Sequence, residues 1–170
     1  MIRFDEKSLT RLYDSAVDAF PNTMKRQYAT DPLKVVSLHW TPFVRLKTLF
    51  IKGVVESDGN MYDTVLLFKD VDYDVKKNSD KVIPLMATDG MTYHFGKISP
   101  YENDVLVRCN CNDFHWRWNY YNHLDGNLWG RKRRKYEGHG GPPANPKRMP
   151  GMCKHLIKTA IAMSRAGVFE

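Results

Sequence analysis

The feature that most narrows the fold of this chain is the placing of its soft metal ligands. Cys109 and Cys111 form a Cys-x-Cys pair, and Cys153 and His155 form a Cys-x-His pair about 40 residues later. Together they use all three cysteines of the 170-residue chain. An odd cysteine count does not suit a secreted disulfide framework. Cys109 and Cys111 are also too close along an extended chain for a comfortable bridge. A structural zinc site takes four thiolate or imidazole ligands arranged as a tetrahedron. The pattern therefore predicts Zn²⁺ held by Cys109, Cys111, Cys153 and His155. The alternative is three inert buried thiols and a solvent-facing His155. His115 and His123 stand nearby as alternative fourth ligands. Four protein ligands leave no position open to water, which argues against hydrolase chemistry.

Hydrophobic spacing predicts the elements that carry these pairs. Residues 5–20 read as an amphipathic helix, with Leu9, Leu12, Tyr13, Ala16, Val17 and Phe20 at three- and four-residue steps. Asp5 and Glu6 favour its start and Pro21 its stop. From Leu33 to Val71 the chain turns β-branched and partly alternating, and Asp58-Gly59 marks a tight hairpin. Residues 72–88 read as loop with a short strand at KVIPLM. The alternating Asp70, Asp72 and Asp74 lack the glycine and terminal glutamate of a calcium loop and read as an exposed strand edge.

A second hairpin is expected from MTYHFGKI and DVLVRCNC around the turn-rich residues 99–103. Val105, Val107, Cys109 and Cys111 lie at alternate positions, so an extended strand points both sulfurs to one face. KHLIKTAIAMSRAG reads as a final helix with Leu156, Ile157, Ala160, Ile161 and Met163 inward and Gly167 as its stop. Cys153 and His155 then sit at that helix's first turn, where the dipole favours a thiolate. Between the ligand pairs, residues 130–152 are Gly-, Pro- and base-rich. A structureless loop of that length needs something to pin it, and a metal clip closing it gains more as the loop lengthens.

The expected architecture is α+β: an N-terminal helix, antiparallel β hairpins and a zinc subdomain closed by the last helix. Length suits one domain over 1–170, with a helix and β body over 1–90 and the zinc part over 91–170. An apolar share of 42% and a charged share of 26% are ordinary for a folded globular chain. No apolar run reaches the roughly 18–20 residues that cross a bilayer, and the first residues have no signal-peptide core. The expectation is an untargeted protein made in a reducing cytoplasm, with no membrane partner.

The formal charge of +7 is local. Between Leu128 and Lys158 nine Lys/Arg face one acid, Glu137, which leaves the rest of the chain near neutral. Arg131, Lys132, Arg133, Arg134 and Lys135 form an unbroken basic run, suited to nucleic acid or an acidic protein face, or else simply solvated. Trp129 and Tyr136 beside it can stack on single-stranded bases. The aromatics of 112–130 (Phe114, Trp116, Trp118, Tyr120, Tyr121, Trp129) are of the types found in cores and in interfaces alike. No nucleophile elbow, P-loop, His-Glu-x-x-His or dinucleotide fingerprint is present, so the chain reads as a non-enzyme with no small-molecule substrate.

Cys-x-Cys on a strand followed by Cys-x-His opening a helix resembles the SWIM-type zinc finger over roughly residues 91–165. The gap between its ligand pairs is longer than in an ordinary SWIM finger. More specifically, VLVRCNCNDFHWRW and NPKRMPGMCKHLIK are similar to a VRCxCxDFxWR…NPxxxPGxCKHL pattern in virion-associated proteins of large contractile-tailed phages. The resemblance implies the same four ligands, with Asp113, Phe114, Asn145, Pro146, Pro150 and Gly151 as scaffold. It implies a non-enzymatic structural role in the virion (head, neck or tail), many copies, and other virion proteins as partners. The second function expected from the sequence is a SWIM-like module binding nucleic acid through residues 128–158. The structural role predicts little affinity for free DNA, and the module predicts salt-sensitive affinity.

Overall fold

The computed structural model describes residues 7–22, 32–76, 79–136 and 143–170. Helix α1 spans Leu9–Ala19 and buries Leu9, Leu12, Ala16 and Ala19. Ser8 caps it by accepting the Arg11 N–H. The start is therefore set by this cap, while Asp5 and Glu6 lie outside the described residues.

Four antiparallel strands form the main sheet in the order β1-β2-β3-β6. They are β1 (Leu33–Phe43), β2 (Thr48–Ser57), β3 (Asn60–Phe68) and β6 (Val105–Cys109). Asp58 and Gly59 connect β2 to β3 with φ of 51° and 77°. Positive φ at both central residues is the type I′ geometry that suits the strands' twist, as Asp-Gly predicts. Strand β1 bulges between Val35 and Ser37.

The second hairpin forms with different partners from those the sequence suggests. Strand β5 (Thr92–Gly96) pairs with β4 (Val82–Met86) in a separate two-stranded sheet. Strand β6 pairs instead with β3. Residues 99–103 do turn, with Asn103 N–H donating to the Ser99 carbonyl and Ser99 N–H to Asn103 Oδ1. That turn hands the chain from one sheet to the other. The Asp70–Asp74 run is not a strand edge either: β3 ends at Phe68, Asp70 adopts φ 56°, and the chain leaves the sheet as irregular backbone.

Two short helical elements follow β6: a π-helical turn at Phe114–Trp118 and α2 at Asn119–Asp125. Helix α3, Lys154–Arg165, packs against all four strands of the main sheet. Gly167 takes φ 75° just past its end. The tail then folds back, with Ile98 N–H donating to Val168 O and Glu170 N–H to Ile98 O. Buried apolar residues from Leu9 to Val168 belong to a single core cluster. Among the described residues no helix is long and apolar enough to cross a membrane.

Helix α3 approaches the sheet closely at one point. Thr159 Oγ1 donates to the His155 carbonyl (3.0 Å). It also lies 2.8 Å from Thr64 Oγ1 on β3, whose hydroxyl in turn reaches the Gly53 carbonyl at 3.2 Å. Both threonines are fully buried, so each hydroxyl needs such a partner. Gly53 on β2 makes the room: a Cβ there meets Thr64 Oγ1 at 2.6 Å and Thr159 Cγ2 at 3.0 Å. Overpacking of this kind costs about 1–3 kcal/mol. Gly53→Ala is therefore expected to lower thermal stability by about that amount in a melting experiment, and an unchanged midpoint contradicts this account of the helix–sheet contact.

Candidate metal centre

Strand β6 alternates inward Val105, Val107 and Cys109 with outward Leu106 and Arg108. It ends at Cys109, and the chain turns so that Cys111 also faces inward. The turn is held by backbone: the Phe114 N–H donates to Cys111 Sγ at 3.3 Å and the His115 N–H to the Cys111 carbonyl at 3.0 Å. Cys153 stands at the N-cap of α3 and His155 in its first turn. The ligand atoms of Cys109, Cys111, Cys153 and His155 all lie within 4.8 Å of one another, and all four residues are buried. The sequence pattern thus joins as expected. His115 and His123 do not join it: His115 packs on Trp116, and His123 is exposed on α2.

The three thiols are free of disulfides. His155 Nδ1 faces Cys109 Sγ and Cys153 Sγ, 3.9 Å from each. Its Nε2 is buried with no hydrogen-bond partner among the described residues, and its ring stacks on Tyr62 of β3 at 4.2 Å. Within the trio, hydrogen bonding from Cys109 and then Cys153 holds the Cys111 thiol far below the ordinary thiol range. The same contact with Cys111 pushes Cys109 upward, and burial pushes Cys153 upward. The Phe114 N–H also faces the Cys111 sulfur. Three buried sulfurs and an imidazole nitrogen that meets only sulfur form a donor set compatible with a metal ion.

Residues around the ligands hold the second pair in place. Asn122 on α2 is fully buried and grips Gly151 through both backbone groups: Gly151 N–H donates to Asn122 Oδ1 (2.7 Å) and Asn122 Nδ2 to Gly151 O (2.9 Å). A Cβ on Gly151 falls 2.5 Å from the buried Trp118 ring. Asn145 Nδ2 donates to Arg117 O and Met149 O, and Arg117 Nε to Ala144 O. Asp113 pairs with Arg117 and accepts from Trp118 Nε1. Of the positions the resemblance names, Phe114 and Asn145 are buried and Pro146 is exposed. Asn122 was not singled out by sequence reasoning: in NYYNHLD it has the look of a polar surface residue.

The basic run lies elsewhere. Arg131, Lys132, Arg133, Arg134 and Lys135 are all exposed on irregular backbone, and none forms an ion pair among the described residues. Arg108 on β6 holds that backbone by donating from Nη1 to Trp129 O (3.0 Å) and Arg131 O (2.9 Å). Asn119 accepts the Arg133 N–H. Side chains thus hold the backbone of residues 129–133 in place. Comparison of the chain with protein-family models, curated proteins and solved structures yields no match.

Replacing Asn122 by Ala leaves two buried backbone groups of Gly151 unpaired, each costing about 1–3 kcal/mol. Asn122→Ala is therefore expected to destabilise the fold markedly; a thermal melt checks this, and a wild-type midpoint contradicts it.

Proposed function

We propose that Cys109, Cys111, Cys153 and His155 hold one Zn²⁺ in a closed structural site, and that the chain is a non-enzymatic structural component of a tailed-phage virion. The observation that carries the metal reading is the convergence of three thiols and one imidazole within 4.8 Å in a buried pocket. A tetrahedral zinc with three sulfurs and one nitrogen has ligand–ligand edges of about 3.6–3.8 Å. The 3.9 Å separations of His155 Nδ1 from two sulfurs are close to that. Thiolate-rich donors with one imidazole favour zinc over harder ions. All four positions come from protein, so no site is left for a substrate or an activated water.

The SWIM-like layout supports the wider reading: one pair at a strand end, the other opening a helix. The virion role rests on the sequence pattern running from Val107 to Leu156. In that setting the zinc makes a rigid subunit from a chain whose loop otherwise has high closure entropy. A nucleic-acid-binding role is favoured by one observation of its own, the exposed cations at 131–135, which form no ion pair among the described residues.

Protein purified without chelator is expected to carry about one equivalent of zinc. Structural zinc contributes on the order of 10 kcal/mol, and losing even half of that lowers the melting temperature by about 10–20 °C in a domain of this size. Chelation and Cys153→Ser are both expected to produce such a drop. Substoichiometric zinc with an unchanged melt contradicts the metal reading. Mass spectrometry of purified particles tests the virion reading, which requires the chain to be present in many copies; its absence from particles overturns that reading alone.

A further inference from the structure

The main sheet has two faces, and α3 covers only one. Opposed residues on neighbouring strands share a face. Thr41, Phe50, Leu67 and Leu106 stand in one row, and His39, Lys52, Val65 and Arg108 in the next, on the side away from Ile51, Leu66 and Val107 of the core. Trp129 lies over this outer face, its ring 5.5 Å from that of Phe50. From Trp129 the chain runs through Arg131, Lys132, Arg133, Arg134 and Lys135 to Tyr136, whose ring meets Trp116 at 5.3 Å. Trp129, Tyr136 and Trp116 are 37%, 40% and 51% exposed. Five solvated cations therefore lie between two partly open aromatic pairs, over at most about 25 Å of chain.

Among the described residues, no ion pair offsets the positive charge along this strip. Like charges crowd here, and no carboxylate pairs with the run among the described residues. A polyanion relieves that crowding and releases its own counterions on binding.

We infer that this strip, from Phe50 and Trp129 through Arg131–Lys135 to Tyr136 and Trp116, binds single-stranded nucleic acid. Bases stack at the two aromatic ends, and the cations between them follow the phosphates, the division of labour by which proteins bind single strands without reading sequence. A duplex buries its base faces in its own stack and offers the aromatics nothing. An acidic polypeptide uses the charges and leaves the rings idle. The inference goes beyond the zinc-clamped structural reading and uses none of its ligands. It competes with the view that this surface docks neighbouring virion proteins.

The test uses the full zinc-loaded chain and fluorescence anisotropy with a short labelled oligothymidylate, a duplex of equal length, and polyglutamate as competitor. Single-strand binding is expected, and it should weaken about 20- to 50-fold between about 50 and 200 mM salt for three or four phosphate contacts. Replacing Arg131, Arg133 and Arg134 together by Gln is expected to remove most of the affinity. Trp116→Ala should cost about 5- to 100-fold, and Trp116→Phe should retain most of the binding. Zinc content and melting temperature of the same variants should stay at the wild-type values, which keeps a failure here separate from a failure of the metal reading. Absence of binding at low salt, equal or tighter binding of the duplex, equal competition by polyglutamate, or indifference to Trp116→Ala each overturns the inference.

Discussion

Four side chains from the end of a strand and the start of a helix converge within 4.8 Å, and the rest of the molecule is arranged so that they can meet. Cys109 is the last residue of β6, and β6 owes its place to pairing with β3 across Thr64–Cys109 to Phe68–Val105. His155 is reached from the other side, by a helix whose distance from the sheet is set by Gly53, Thr64 and Thr159. A buried imidazole nitrogen without a partner is costly, and on the proposed reading a cation bound at the centre of the group would be shared by all four ligands.

The ligands alone do not fix the chain between them. Cys153 is positioned by what happens two and more residues earlier, where Asn122 holds Gly151 and Asn145 closes the preceding turn. These amides sit in a low-dielectric interior, where satisfied hydrogen bonds are strong and broken ones expensive. They make the approach to the site a single conformation. Trp118 fills the space against Gly151 and meets Phe20 edge-on, so α1 is coupled to the same region. The N-terminal helix is therefore part of the support of the site, reinforced by the paired hydrogen bonds from Arg11 to Asp125 at the end of α2.

The Cys/His cluster was legible in the sequence because a candidate ligand set depends on residue type and spacing, and both survive without knowledge of the fold. Asp58-Gly59 was legible for a similar reason: only a few residues accept positive φ at both turn positions. The partner of β5 was not legible. Ser99–Asn103 has the composition of a hairpin turn, and nothing local distinguishes a turn that joins two paired strands from one that passes between sheets. The β3–β6 pairing is non-local and rests on burial of Val105 and Val107 against the core, which a strand's own pattern shows only as alternation. The buried asparagines were hidden by their type, since Asn is ordinarily a residue of turns and surfaces. The aromatic stretch divides in a way its composition does not show. Phe114 and Trp118 are enclosed, while Trp116 and Trp129 look outward.

The central claim is a closed metal tetrahedron of three sulfurs and one nitrogen. X-ray absorption at the zinc edge on the purified chain measures that coordination directly. The account predicts about three sulfur neighbours near 2.3 Å and one nitrogen near 2.0 Å, with no oxygen from water. A shell dominated by nitrogen or oxygen, or one with fewer than three sulfurs, contradicts it.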